Sequence, residues 1–290
     1  MKANPIFSIV IATYNRAHIV ERAIRSVTNQ QCKDFELIVV DDGSTDSTAI
    51  VVEPYLSDPR IIYYIQPNQG VSVARNKGAS LAKGKYVLFL DSDDELKPGY
   101  FDVIQARLHH DTEAVFVSVD FYIGGKFSII VRANFPYGKY STEGLFLAGS
   151  FVVRLNLFTE AGGYDSLMAY GENTELAIRL GPLLKKKIFI EESLLKVYQE
   201  KETRTSNSLQ NVITSTEYIL KKHTDYYKTN PNPKWMYHNV LAVGYVKSNN
   251  IEKARAHLVK AMKTYPWRIR SYLRYSVISI PFLRRRIYGA

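Results

Sequence analysis

The stretch Lys85–Asp94 constrains this chain more than any other. Tyr86 to Leu90 is an unbroken apolar run with aromatic and β-branched members, the pattern of a strand buried on both faces. It ends at Asp91, Asp93 and Asp94, three carboxylates within four residues. Carboxylates set side by side next to a buried strand repel one another and are costly to desolvate. Two readings answer that cost. A divalent cation would remove it, and oxygen ligands of this kind suit Mg²⁺ or Mn²⁺. Alternatively the acids form a solvated turn leading to Pro98-Gly99.

The segments before it decide what the strand belongs to. Phe7–Ala12, Phe35–Val40 and Arg60–Ile65 are further apolar runs of strand length. Between them Ile19, Ala23 and Val27 recur at helical spacing, and a second helix is predicted from about Val71 to Ala82. Strand, helix, strand with short links predicts an α/β fold: a mostly parallel central sheet with flanking helices and right-handed crossovers. The carboxyl ends of parallel strands lie on one edge, where ligands bind. Thr13 and Tyr14, Asp41 and Asp42, and Asp91 and Asp93 are therefore expected to converge, although mere turns at strand ends are also polar. The turn after the first strand has no glycine, so phosphates are not cradled by backbone there. Tyr14 can stack on a base and Asp42 can accept from a base N–H. The phosphates would then lie near Asp91 and Asp93 through a metal.

With these residues in place the chain resembles a family 2 glycosyltransferase of the glycosyltransferase A fold. The matching segments are Ser8–Arg16, Leu37–Asp46, Asn68–Gly78 and Gly84–Asp94, in the family's order and spacing. The resemblance implies inverting transfer of a sugar from a nucleotide-sugar, commonly a UDP-sugar, to an acceptor hydroxyl. Carried onto this sequence, Thr13, Tyr14 and Asp42 hold the base, and Arg75 and Asn76 line the nucleotide pocket. Asp91 faces the ribose or metal side, and Asp93 binds the Mn²⁺ or Mg²⁺ that bridges the diphosphate. For Arg75 a solvated helix face, and for Asn76 a local hydrogen bond, are the plainer readings.

The acceptor half departs from the family at two places. Residues 113–132 read as a β-hairpin, Phe151–Val153 as a strand, and Leu194–Tyr198 as another. The family has a Gly-Gly-aromatic-Asp turn, here Gly162–Asp165, and then a Glu-Asp pair opening a helix with Arg-Leu two turns on. The second acid of that pair is its usual general base, and here the position is Asn173. An amide cannot take a proton from a hydroxyl at neutral pH. Glu172 is then the candidate base or a mere helix cap. Asp165 is the next candidate, with a turn former its plainer reading, and Glu175 ranks last. The family often has a histidine beyond Tyr198; here Arg204 or Lys201 can meet the diphosphate instead, and a flexible polar loop is the plainer reading.

The net charge of +10 belongs to the end of the chain. Ten of the 38 basic residues follow Glu252, after which there is no acid, so the other 28 match the 28 acids. Residues 1–205 are expected to form the catalytic domain, with a nucleotide half of about 1–110 and an acceptor half of about 111–205. Residues 206–290 form a helical, basic extension. Within it Trp235–Tyr245 and Ile251–Ala261 read as a helix, turn and helix, a weak match to one tetratricopeptide-type pair. Residues 267–290 interleave arginines with Ile, Leu, Phe and Tyr, as a basic amphipathic helix does. An anionic membrane surface and plain packing are equal readings, and nucleic acid is disfavoured. The six histidines show no metal-ligand spacing beyond His109-His110. A single cysteine, Cys32, fits a reducing compartment. Neither a signal segment nor a membrane span is evident, so the expected place is the cytoplasm or the inner face of a membrane. The expected partners are a nucleotide-sugar donor and a glycan or lipid-linked acceptor. The rival functions are a non-catalytic nucleotide-sugar or membrane-binding protein and a sugar-1-phosphate nucleotidyltransferase.

Overall fold

The computed structural model describes residues 4–133, 146–199 and 208–288. These divide into two compact units. One comprises residues 4–133, 146–166 and 173–199; the other comprises 167–172 and 208–288.

The first unit is an α/β sandwich. In chain order its elements are β1 (Phe7–Thr13), α1 (Val20–Thr28), β2 (Phe35–Asp41), α2 (Thr48–Val52), β3 (Ile61–Ile65), α3 (Val71–Leu81), β4 (Tyr86–Asp91) and β5 (Glu95–Leu96). There follow α4 (Tyr100–Arg107), β6 (Ala114–Ile123), β7 (Lys126–Val131), β8 (Phe151–Arg154), α5 (Leu155–Glu160), α6 (Glu172–Leu180) and β9 (Lys187–Gln199). One sheet runs β3-β2-β1-β4-β8-β6-β9-β5, with β7 paired to β6. The parallel pairing expected from the sequence holds for β3, β2, β1 and β4. Beyond β4 the sheet is mixed: β8 is antiparallel to β4 and β6, whereas β9 is parallel to β6.

Alternation explains why the central strands are apolar throughout. Ile9, Leu37 and Leu88 point to one core, with α1 and α4 over it. Val10, Ile38, Val87 and Phe89 point to the other, under α3, α5 and α6. A strand covered on both faces cannot alternate with polar residues. At the amino edge of the sheet Glu36 accepts from Ser8 Oγ at 2.6 Å and from the amide of Gly84. A Cβ on Gly84 would lie 2.6 Å from the Ser8 nitrogen, so the chain passes there only as glycine.

Two elements differ from the sequence reading. β9 begins at Lys187, well before Leu194, and its register against β6 shifts near Ser118. That bulge exposes Glu191 and Glu192 and hides the alternation. Leu96 and Glu95 pair with its far end, so the segment after the acid cluster is a strand.

The second unit is helical: α7 (Leu209–Lys222), α8 (Thr224–Thr229), α9 (Pro231–Lys247), α10 (Ile251–Thr264), α11 (Ile269–Ser279) and α12 (Pro281–Tyr288). Its core gathers Ile213, Leu241, Val246, Leu258 and Ile278. Asn249 takes the left-handed conformation between α9 and α10, and Asn250 caps α10 by accepting from Lys253 N at 3.1 Å. Residues 167–172 group here because Ser215 Oγ accepts from the amides of Ala169 and Tyr170, both at 3.2 Å. The basic segment near the end is two helices, not one. Pro281 has no N–H to continue α11, and it is tolerated as the first residue of α12. Among the described residues no helix is long and apolar enough to cross a membrane.

Candidate active site

Sheet register brings the predicted tips together. Thr13 stands opposite Asp41, and Ala12 opposite Asp91, so the ends of β1, β2 and β4 share one level of the carboxyl edge. The Asp42 amide donates to Thr13 O at 2.8 Å. Tyr14, next along, is 46% exposed, a ring presented to solvent at the edge. Asn15 turns the chain with φ of 51°, and its Oδ1 accepts from the Thr45 amide at 2.8 Å.

Asp41 and Asp42 are both buried and both anchored. Asp41 accepts from Ser44 N at 2.7 Å and from the Tyr63 hydroxyl at 2.5 Å. Asp42 Oδ1 accepts from Gln66 Nε2 at 2.7 Å and Gln69 N at 2.9 Å, and Oδ2 accepts from Gly70 N at 2.7 Å. A carboxylate has about four lone-pair positions, and the chain takes three of them. Asp42 therefore sets the start of α3, which Gly70 caps.

On α3, Arg75 is 3% exposed and not a solvated helix side chain. Its Nη2 lies 2.5 Å from Asp91 Oδ1, and its guanidinium sits 4.9 Å from the centroid of the Tyr164 ring. Asn76 makes a two-way clamp: Nδ2 donates to Tyr164 O and Oδ1 accepts from Tyr164 N, both at 2.7 Å. A Cβ on Gly163 would lie 2.6 Å from that Oδ1, and Gly163 has φ of +66°. The Gly-Gly-Tyr turn is thus shaped around Asn76. The Tyr164 hydroxyl then donates to Asn173 Oδ1 at 3.0 Å. One chain of contacts runs Asp91, Arg75, Tyr164, Asn173. Asp165 follows Tyr164 in that turn, and Glu172 is the first residue of α6.

Asp91, Asp93 and Asp94 each offer a carboxylate oxygen within 4.8 Å of the others. An all-oxygen set at that spacing fits Mg²⁺ or Mn²⁺. Asp94, which the sequence reading counts in the acid cluster but does not assign as a ligand, is buried, and its Oδ1 accepts from Tyr198 N at 3.1 Å. Arg22 of α1, not foreseen, donates to the Asp93 carbonyl and lies 3.8 Å over the Tyr198 ring. Burial and then the Glu95 carboxylate push the Tyr198 phenol up to about 12, so it stays a donor, to Glu95 Oε2 at 2.9 Å. No spacing signal announces Arg22, because α1 meets the acidic turn only in three dimensions.

Glu175 is fully buried and paired with Arg179, whose Nε lies 2.9 Å from Glu175 Oε1 and whose Nη1 donates to Ala161 O. It is a structural pair inside the second core. Arg204 and Lys201 lie outside the described residues.

The sequence matches the model of "Glycosyl transferase family 2" over residues 8–166. It is 36% identical over 154 residues to the GalNAc(5)-diNAcBac-PP-undecaprenol beta-1,3-glucosyltransferase of Campylobacter jejuni, covering 48% of this chain and 50% of that one. It is 42% identical over 138 residues to the putative teichuronic acid biosynthesis glycosyltransferase TuaG of Bacillus subtilis, covering 47% and 52%. The matched parts thus span about half the length of these relatives. The fold is similar to that of S. aureus TarS 1–349 in complex with UDP-GlcNAc, with TM-score 0.65 and 15% identity over 94% of this chain and 90% of that one.

Proposed function

The chain belongs to glycosyl transferase family 2, and from that premise we propose that it transfers a sugar from a UDP-sugar to a hydroxyl acceptor, with inversion and a divalent cation. The observation that carries the reading is the meeting of three carboxylates within 4.8 Å, at the tip of the strand whose Asp91 is held by Arg75.

In this mechanism Tyr14 stacks on the base, with Thr13 and the remaining acceptor position of Asp42 beside it. Asp91 and Asp93 would hold Mg²⁺ or Mn²⁺, which would supply positive charge against the leaving diphosphate. Arg75 orients Asp91 by a charge-assisted hydrogen bond. Asn76 fixes the Tyr164 turn, and the Tyr164 hydroxyl in turn donates to Asn173. The acceptor oxygen attacks the anomeric carbon from the face opposite the diphosphate. As that bond forms, the carbon–oxygen bond to the β-phosphate breaks and its electron pair goes to the departing phosphate oxygen. The hydroxyl proton goes to the Glu172 carboxylate, with Asp165 the alternative acceptor. Arg204 would supply a further positive charge to the diphosphate.

The C. jejuni relative is named for a PP-undecaprenol acceptor, and for this chain we extend that to a lipid-linked or glycan acceptor in surface polysaccharide synthesis. The helices α11 and α12 support a peripheral site on the inner, anionic face of a membrane. Trp267, Ile269, Leu273, Phe282 and Ile287 are exposed there beside Arg270, Arg285 and Arg286, the combination that seats a helix in an interface. A donor-binding protein without turnover is the second reading, favoured by the Asn173 amide where the family's usual base would stand. UDP release with Mn²⁺ and a panel of UDP-sugars separates the two. Release that Asp93→Ala abolishes supports transfer. Release unchanged in Glu172→Gln removes Glu172 as base, and no release from any donor and acceptor supports binding alone.

A further inference from the structure

The helical unit holds a groove of about 440 Å³ lined by Tyr227, Lys228, Lys234, His238, Lys260 and Lys263. Helical spacing puts the charges there. Lys234 and His238 are one turn apart on α9, and Lys260 and Lys263 lie three apart on α10, so each pair shares a face. Among the described residues no acid lines the groove. Lys228 is offset by Asp225 at 2.7 Å. Among the described residues no ion pair reaches Lys234, Lys260 or Lys263.

We propose that this groove is a binding site for a phosphate-bearing anion, distinct from the donor site and independent of the catalytic reading. Ammonium groups from three helices around one concavity repel one another, and a polyvalent anion turns that repulsion into attraction. Lysine suits such a ligand as a flexible point charge, and the volume admits a diphosphate. The floor is polar as well. His238 and His257 are both buried, with their Nδ1 atoms 3.2 Å apart. In that hydrogen bond one ring donates and the other accepts, so the two rings carry complementary tautomers. Burial first, and then His257, Lys260 and Lys234, hold the His238 imidazole at about 4, which places that ring in the field of the lysines.

The test is a titration of the full chain with sodium pyrophosphate at constant ionic strength, read at the ¹⁵N-labelled His238 ring. A saturable shift is expected. Lys234→Gln/Lys260→Gln should weaken it at least tenfold, whereas Lys126→Gln/Lys247→Gln, exposed lysines outside the groove, should leave it within twofold. Lys234→Arg/Lys260→Arg should retain it. Competition by phosphatidic acid vesicles would identify a lipid headgroup as the source, and competition by soluble phosphate esters alone a free metabolite. Equal affinity in wild type and Lys234→Gln/Lys260→Gln, or an equal shift with sodium chloride, would overturn the proposal. Asp93→Ala should leave the titration within twofold, so this proposal and the proposed transfer fail separately.

Discussion

The two units use charge in opposite ways. In the sheet unit the buried charged groups of the candidate site are tied to named partners: Asp42 to Gln66, Gln69 and Gly70, Arg75 to Asp91, Asp94 to Tyr198. In the helical unit the arginines of α11 and α12 and the groove lysines lie mostly on the surface, and buried polar pairs such as His238 with His257 are neutral. The difference is preorganisation against attraction. Fixed charges oriented by a packed sheet can act on one bond of one substrate, and they are costly to disturb singly. Exposed charges act as a sum, each adding a small increment. Large single-residue effects are therefore expected in the first unit, and graded ones in the second.

The largest effect should come from Glu175→Gln. It leaves the Arg179 guanidinium in the core without its carboxylate and should cost about 3–5 kcal/mol, read by chemical denaturation of the sheet unit. A loss below 1 kcal/mol would show that the pair is hydrated and the contrast weaker than stated. Asp93→Ala should lower UDP release by about 10²–10³-fold with the melting temperature unchanged, which separates a site residue from a structural one. Asn76→Ala strips both partners from the Tyr164 backbone and should cost about 2–3 kcal/mol, together with a fall in kcat. An unchanged fold with lost nucleotide affinity would make Asn76 a ligand contact.

The pH dependence sharpens the contrast from the other side. His238 and His257 are held at about 4, mainly by burial, against an ordinary 6.5. His238 faces His257, Lys260 and Lys234; His257 faces Lys260 and Lys253, with Glu217 opposing. Between pH 6.5 and 4 the unfolded chain binds protons that the folded one does not. Stability is thus full above 6.5 and falls as pH drops, by about 1.4 kcal/mol per unit and per imidazole. Both tryptophans, Trp235 and Trp267, belong to the helical unit, so urea unfolding followed by tryptophan emission reads that unit. His238→Asn/His257→Asn should flatten the dependence; an equally steep one would place its source elsewhere. The smallest effects should be Arg285→Gln and Arg286→Gln, each weakening binding to anionic vesicles by about 1 kcal/mol and additively. Loss of all binding on one substitution would mark a specific site and break the comparison.

What the sequence revealed follows the same division. β1, β2 and β4 were legible because double-sided burial writes a continuous apolar run, and because parallel strands must carry their polar ends to one edge. The carboxylates of β4 were therefore readable as neighbours of Thr13 and Asp42. The clamp of Asn76 on Tyr164 was not, since it joins residues 88 apart through backbone atoms of a glycine turn. Glu175 could be ranked last by its helical step, but its pairing with Arg179 in the core required the packing of α6. The break at Pro281 was written in the sequence, yet the basic amphipathic pattern running through it suggested one helix. His238 and His257 meet only because α9 packs on α10, and no spacing rule for metal ligands draws attention to that pair.

The central claim is that the strand-tip carboxylates hold a cation that engages the donor diphosphate. Calorimetric titration with UDP, in Mn²⁺ and in EDTA, tests it most directly. The account predicts that wild type binds UDP at least tenfold more tightly with Mn²⁺, and that Asp93→Ala binds equally in both. A wild-type affinity indifferent to Mn²⁺, or an enhancement that survives Asp93→Ala, would contradict it.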